Sequence, residues 1–590
     1  MTDARRIAGV LRDFARGAGL RLTILAIATA FTAGAAAVSV SLWLKLIVDD
    51  ATDGDLTGVT VLAVALAATV TVQATASILS VMYLARLQFA CGVQLVCRIM
   101  RAAGGSPGIE HYERPEFADR IALLKSQTNH ISGFLPVLGD GLALAGRVAI
   151  TGVLLAGVHP ALLLLPLLAL PSFWAGTRAE RLVNAANVAT AEQGRLESHL
   201  FGLCTTASPA KEVRVFGLGA ELDGRRRRAW DELTDTLARA QLRSGLLRTA
   251  GWLPFAAGYL AAVGLAVARA GRGDATAGDV LLVMVLAGQV NGQVAQVLHV
   301  ATRSATAVRV LGHLFWLEDH TRDAVARTTP AAPAPVPGNL GHGIDLIGVS
   351  FRYGDAEVLR DVTLHLPAGS TVALVGENGA GKTTLVKLLC RFYEPTAGRI
   401  AVDGVDMRSF DVAEWRRRLS GGFQDFARIE LTLRESVGIG DLASVDDPVA
   451  VGAALGRVGA ELPVGLDQQL GQQWLGGVDL SEGQWQKVAM ARAMMRQEPL
   501  LLILDEPTSG LDAHAEHALF ELFAGVAAET ATRTGAIALF VSHRFSTVRM
   551  ADHIVVLAGG RVVEQGDHAS LMAAAGLYRE LYDIQARAYR

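Results

Sequence analysis

The chain has 590 residues, 51% of them hydrophobic and 19% charged, with a formal net charge of -3. That length allows two to four domains with separate cores, and the near-neutral charge excludes a dedicated nucleic-acid binder, which would carry a strong basic footprint. Cys91, Cys97, Cys204 and Cys390 lack metal-site spacing and are too few for a disulfide framework, so they read as packing residues.

Most of the excess apolar content lies before about residue 305, which divides the sequence into a membrane half and a soluble half. The N-terminus combines Arg5, Arg6, Arg12, Arg16 and Arg21 with an apolar run and the small residues Ala35 to Ala37, a pattern that mimics a cleavable signal. The run continues through Leu42 and Leu44 to Ile47, too long for a signal core, and predicts a first membrane helix. A spanning helix needs roughly 20 apolar residues. Six segments qualify: 20–47, 58–82, 133–157, 159–176, 247–270 and 277–301, the fourth interrupted by Pro166 and Pro171.

Basic residues concentrate in the N-terminal stretch and in segments 83–130 and 178–246, including Arg225 to Arg228, whereas the loop after the first span carries Asp49, Asp50, Asp53 and Asp55. Lys and Arg are retained on the cytoplasmic side, so both termini are expected there. The two basic connections far exceed a simple turn and predict helices extended into the cytoplasm. Within them, segments 111–119 and 210–217 are suited to docking on a soluble domain; the Arg225 to Arg228 run reads as a solvated or lipid-headgroup face.

Polar residues inside spans are costly. Gln289, Gln293 and Gln296, beside Asn291, recur at helical spacing in the sixth span, and Asp140 and Arg147 share a face of the third. They are candidates for a substrate path, with hydrogen bonding between helices as the other reading.

Residues 320–343 contain a Thr-Thr-Pro-Ala-Ala-Pro-Ala-Pro-Val-Pro-Gly stretch that cannot continue a helix. It separates an expected membrane domain, 1–319, from an expected soluble domain, 344–590. Beyond it strand-like and helical runs alternate, which predicts an α/β domain. The fold class is therefore an all-α domain of six transmembrane helices followed by an α/β phosphate-loop domain.

Thr371 to Val375 reads as a buried strand, followed by Gly376-Glu-Asn-Gly-Ala-Gly-Lys-Thr-Thr384 and an apolar helix, a complete phosphate-binding loop in its required context. Gly376, Asn378, Gly379, Gly381, Lys382, Thr383 and Thr384 are the expected ATP-binding set. The glycines admit a polyphosphate to backbone N–H groups, Lys382 reaches the β- and γ-phosphates and the Thr383 hydroxyl binds Mg²⁺. A second apolar strand, Leu500 to Leu504, ends in Asp505 and Glu506; Asp505 is assigned to the metal and Glu506 to the attacking water. Between them, Ser481, Gly483 and Gln484 open a helical run. One domain already has its phosphate loop, so this second grip suits a nucleotide held by another copy of the domain.

The order of these motifs over essentially the whole chain resembles the ATP-binding cassette (ABC) transporter family, in the layout of its exporter-type half-transporters. The resemblance implies that Tyr353 stacks on adenine, that Gln424 links the metal site to the membrane domain as a catalytic and metal-site residue, that His543 contacts the γ-phosphate, and that Asp512 lies at a dimer interface. It also implies a dimer sandwiching two ATP molecules, with the cassettes driving alternating access. The partner is a second half-transporter, identical or different, in a lipid bilayer, with no nucleic acid involved. The signature departs from the family's usual Leu-Ser-Gly-Gly-Gln at Glu482, which places a negative side chain near phosphate or else points to solvent; a heterodimer with one weakened site is one way to accommodate it. Segment 471–476 also lacks the glutamate frequent in exporter cross-linking loops. The continuation through Lys487 is similar to that of bacterial lantibiotic-type peptide exporters. No peptidase-like segment precedes the first span, so leader cleavage is not expected; peptide, lipid and drug stand open as cargo. Export is the favoured reading over uptake on the same fold, and over a slowly hydrolysing ATP-gated regulator, since Lys382, Asp505, Glu506 and His543 are all present.

Overall fold

The computed structural model describes residues 2–206, 209–505, 513–542 and 548–588. It divides into two compact units: residues 1–101 with 120–316, and residues 102–119 with 317–590.

The first unit is helical, as its apolar runs require. Six helical stretches are long and apolar enough to cross a membrane: Leu20–Asp53, Leu56–Gly104, Phe134–Val158, Pro160–Ala189, Gly219–Ala270 and Ala277–Thr328. Three of them run 49 to 52 residues, about 75 Å at 1.5 Å per residue, so they outreach any bilayer, as the long basic connections anticipated. The expected break at the fourth span is real. Residues 160–168 form a 3-10 turn and one short helical turn before Leu170–Ala189 begins, because Pro166 and Pro171 each remove a backbone donor. Small residues let these helices approach: a β-carbon on Gly251 would collide with Ala175 and the Pro171 carbonyl.

The soluble unit begins inside the last long helix. That helix continues through part of the stretch expected to be linker, to Thr328, because the first proline comes only at Pro330; β1 (Gly343–Tyr353) then opens the sheets. One sheet is antiparallel, in the order β2-β1-β4-β5, with β2 Ala356–Pro367, β4 Ala397–Val402 and β5 Val405–Asp406. The other has the order β10-β9-β3-β8-β7-β6. Its strands are β3 Thr371–Gly376, β6 Leu419–Gly422, β7 Leu501–Asp505, β8 Ile537–Val541, β9 His553–Ala558 and β10 Arg561–Gly566. All its pairings are parallel except β10 on β9. Strands β7 and β8 are buried at every position, the signature of a parallel sheet covered on both faces. Residues 102–119, which include segment 111–119, belong to this unit, whereas segment 210–217 falls in the first.

Candidate functional site at the carboxyl ends of the parallel strands

In an open parallel sheet, strand carboxyl ends face a common crevice, and the candidate residues gather there. Strand β3 ends in Gly376, whose φ is 152°. A β-carbon there would collide with the Leu557 carbonyl on β9, so the loop can leave the sheet only through glycine. The loop closes at Gly381, in the left-handed region, as N-cap of the helix Lys382–Leu389. Around it lies a cavity of about 850 Å³ lined by Gly376, Asn378, Gly379, Gly381, Lys382, Thr383, Thr384 and Gln424. Lys382 is 6% exposed, and its ammonium donates to the carbonyls of Gly376 (2.8 Å) and Glu377 (3.0 Å). Buried, it is held where a polyphosphate would be met by its charge, the loop amides and the helix N-terminus together.

Strand β6 pairs with β7 up to Gly422 opposite Leu504. Gln424 therefore leaves one strand end just where Asp505 terminates its neighbour. Asp505 is 3% exposed. The Thr383 hydroxyl, Gln424 amide and Asp505 carboxylate offer oxygen donors only, the set a hard cation such as Mg²⁺ takes, so the residues fit that ion. Glu506, Asp512 and His543 lie outside the described residues.

Two expected nucleotide contacts lie apart from this cavity. Ser481 is N-cap of the helix Glu482–Ala493 in a reciprocal capping box: its Oγ accepts from Gln484 N (3.3 Å) and Gln484 Oε1 accepts from Ser481 N (2.9 Å). Neither these residues nor Gly483 lines the phosphate cavity of their own chain. Glu482 forms an ion pair with Arg428 on the exposed surface. Tyr353 is also outside that lining. Its ring stands edge-on to Phe351 and Tyr393, at 4.8 and 5.3 Å between centroids, with the Lys387 ammonium 5.6 Å from its centre. It lines a neighbouring cavity of about 930 Å³ together with residues of segment 106–114.

Sequence reasoning missed three features. Val358, Leu581, Ile584 and Gln585 also line the phosphate cavity; the last three come from the terminal helix Leu577–Ala588, and the 4-3 spacing of Leu577, Leu581 and Ile584 was the available signal. That helix is anchored by Glu564, whose carboxylate accepts from Leu577 N and Tyr578 N, and by fully buried Tyr578, bonded to His568 at 2.8 Å. Second, Glu113 reaches Lys387 on the phosphate-loop helix at 2.8 Å and accepts from the Tyr393 hydroxyl. Burial raises the Glu113 pKa, but these two bonds outweigh it and hold the carboxyl below the usual glutamate range. Third, Arg416 donates to the carbonyls of Cys390, Arg391 and Pro107, a tie no local pattern announces.

In the membrane unit, the polar residues of the third and sixth spans meet. Arg147 bonds Gln296 and Gln293 donates to Thr151 at 3.0 Å. The Asn291 side-chain oxygen is buried without a hydrogen-bond partner.

A phosphate loop opening a helix beside a strand-end carboxylate, behind six spanning helices, defines the class: a membrane protein with a nucleotide-binding α/β domain. Residues 359–509 match the family model described as ABC transporter. The ATP-dependent lipid A-core flippase of Alcanivorax borkumensis is 36% identical over 314 residues, covering 52% of this chain and 51% of the relative. That of Bordetella pertussis is 34% identical over 385 residues, covering 63% and 59%. The heterocyst differentiation ATP-binding protein HepA of Nostoc sp. is 38% identical over 250 residues, covering 42% and 40%. The chain thus spans about half the length of the curated relatives it matches. Among solved structures, a bacterial Atm1-family ABC exporter with ATP bound shares the fold, with a TM-score of 0.77 and 24% identity over 98% of this chain and 100% of that one. Residues 359–509 therefore form an ABC transporter ATP-binding domain, and the chain as a whole has the fold of that exporter, six apolar helices followed by one such domain.

Proposed function

We propose that the chain is one half of an ATP-driven exporter, with residues 1–319 as its membrane domain and 344–590 as its cassette, both termini cytoplasmic. The observation that carries this is the convergence of Lys382, Thr383 and Gln424 on one cavity at the strand ends. ATP is bound through the loop amides and Lys382, and Thr383, Gln424 and Asp505 hold Mg²⁺, which neutralises charge on the phosphates. Glu506 orients the attacking water and accepts its proton, and His543 contacts the γ-phosphate. Tyr353 must leave its packing against Tyr393 to stack on adenine.

The signature residues Ser481, Gly483 and Gln484 lie off their own chain's phosphate cavity, which supports their use by a second chain, with Asp512 at the same interface. Glu482 pairs with Arg428 on the exposed surface. The cargo we favour is a lipid-like amphiphile. Two relatives named as lipid A-core flippases match over stretches longer than the cassette alone, so the likeness reaches into the membrane half, and the Arg147–Gln296 pair offers a polar headgroup partners inside it.

The test is Glu506→Gln in the reconstituted dimer. Nucleotide binding is expected to persist while turnover falls by about 100-fold or more, the usual size of a lost general base; unchanged hydrolysis overturns the assignment. Whether the partner is identical is answered by the chain purified alone: hydrolysis as fast as that of any co-purified pair means a homodimer.

A further inference from the structure

A second cluster of metal-ligating side chains lies at the antiparallel sheet, away from the phosphate loop. We infer that His342, Asp345 and His365 form a binding site for one divalent cation of the zinc class. Their donor atoms all lie within 4.8 Å of one another. His365 Nδ1 is 2.7 Å from Asp345 Oδ1, and His342 Nε2 is 3.7 Å from Asp345 Oδ2. Bonds of about 2.0–2.1 Å to a tetrahedral ion separate ligand atoms by about 3.4 Å, so small side-chain rotations suffice to close the site.

The backbone holds the three ligands in place. Asp345 and His365 are directly opposed across the β1–β2 ladder. His342 lies in the turn that enters β1, where the Asp403 carboxylate accepts from the amides of Gly341, His342 and Gly343 at 2.8–2.9 Å. Two ligands therefore stand on paired strands and the third on a clamped turn, which keeps the ordering cost of binding low. An imidazole, imidazole, carboxylate set selects borderline metals; Mg²⁺ and Ca²⁺ prefer oxygen alone. The exposed side of His342 gives an ion entry and leaves a position for water. A simple cross-strand His–Asp hydrogen bond accounts for Asp345 and His365 but not for His342, whose ring lies 4.5 Å from that of His365. None of the three lines the phosphate cavity, so the site is separate from ATP binding.

The test is a Co²⁺ titration of the untagged, full-length chain in detergent, without nucleotide or Mg²⁺. One Co²⁺ per chain is expected, with the visible d–d absorption of a low-coordinate site, displaced by equimolar Zn²⁺. His342→Ala, His365→Ala and the isosteric Asp345→Asn should each weaken binding at least about tenfold, while Mg²⁺-dependent ATPase in metal-scrubbed buffer stays within about twofold and reports an intact fold. Absence of stoichiometric binding by the unaltered chain at micromolar metal overturns the proposal, whatever the variants do. So does binding that survives Asp345→Asn combined with His365→Ala.

Discussion

The membrane unit and the cassette place their polar groups differently. In the first, Arg147 meets Gln296 and Gln293 meets Thr151, each across a pair of helices. In the second, Lys382 and Thr383 open one helix, Gln424 follows a strand end, and all three converge on one cavity. Pairwise satisfaction lowers the cost of polar atoms in an apolar interior and fixes how helices pack. Convergence at strand ends builds a site for something from outside. The contrast separates residues that join helices from those placed to receive a ligand.

The sharpest way to break this contrast is to remove the convergent cation. Lys382→Ala should lower ATP turnover by at least about 100-fold, on the scale of lost electrostatic stabilisation of a developing charge, with the fold retained by circular dichroism. In the membrane unit Arg147→Ala should leave basal ATP hydrolysis within about threefold but reduce vesicle uptake of a fluorescent lipid by about tenfold. Equal losses of both activities would erase the distinction.

A smaller effect is expected where segment 102–119 meets the phosphate-loop helix. The Glu113 carboxyl is held below its unfolded value, so the unfolded chain binds more protons in acid. Its contribution is present at neutral pH and lost as pH falls through the folded pKa, below the usual glutamate range. Glu113→Gln should accordingly lower the melting temperature at pH 7 by a few degrees and flatten its decline in acid, measured by thermal unfolding. Smallest of all is Arg428→Ala. The pair with Glu482 is exposed, and such pairs contribute about 0–1 kcal/mol, so ATPase activity should change by less than about twofold.

The same contrast explains what could be read in advance. The phosphate loop was legible because its glycines, lysine and threonines are contiguous in sequence, from Gly376 to Thr384. The spans were legible as composition, since a bilayer demands only length and apolarity; their ends were not, because the helices extend well past the apolar windows. The Pro166 and Pro171 break could be foreseen, proline being a local cause. Glu113, Arg416 and the residues of the terminal helix were invisible as site neighbours. Lys387 lies 274 residues from Glu113 and Pro107 lies 309 from Arg416, the phosphate loop is likewise remote in sequence from the terminal helix, and nothing local encodes such a meeting. Tyr353 shows the reverse: motif order suggests an adenine platform, while the packing of Phe351 and Tyr393 decides where its ring rests.

The terminal helix has a practical corollary. Leu581, Ile584 and Gln585 line the nucleotide cavity, and the helix bearing them is held at its beginning by Glu564 and Tyr578. A fluorescent protein or affinity handle fused behind it would tug on the doorway through which ATP arrives, so kinetic work calls for labels at the opposite terminus.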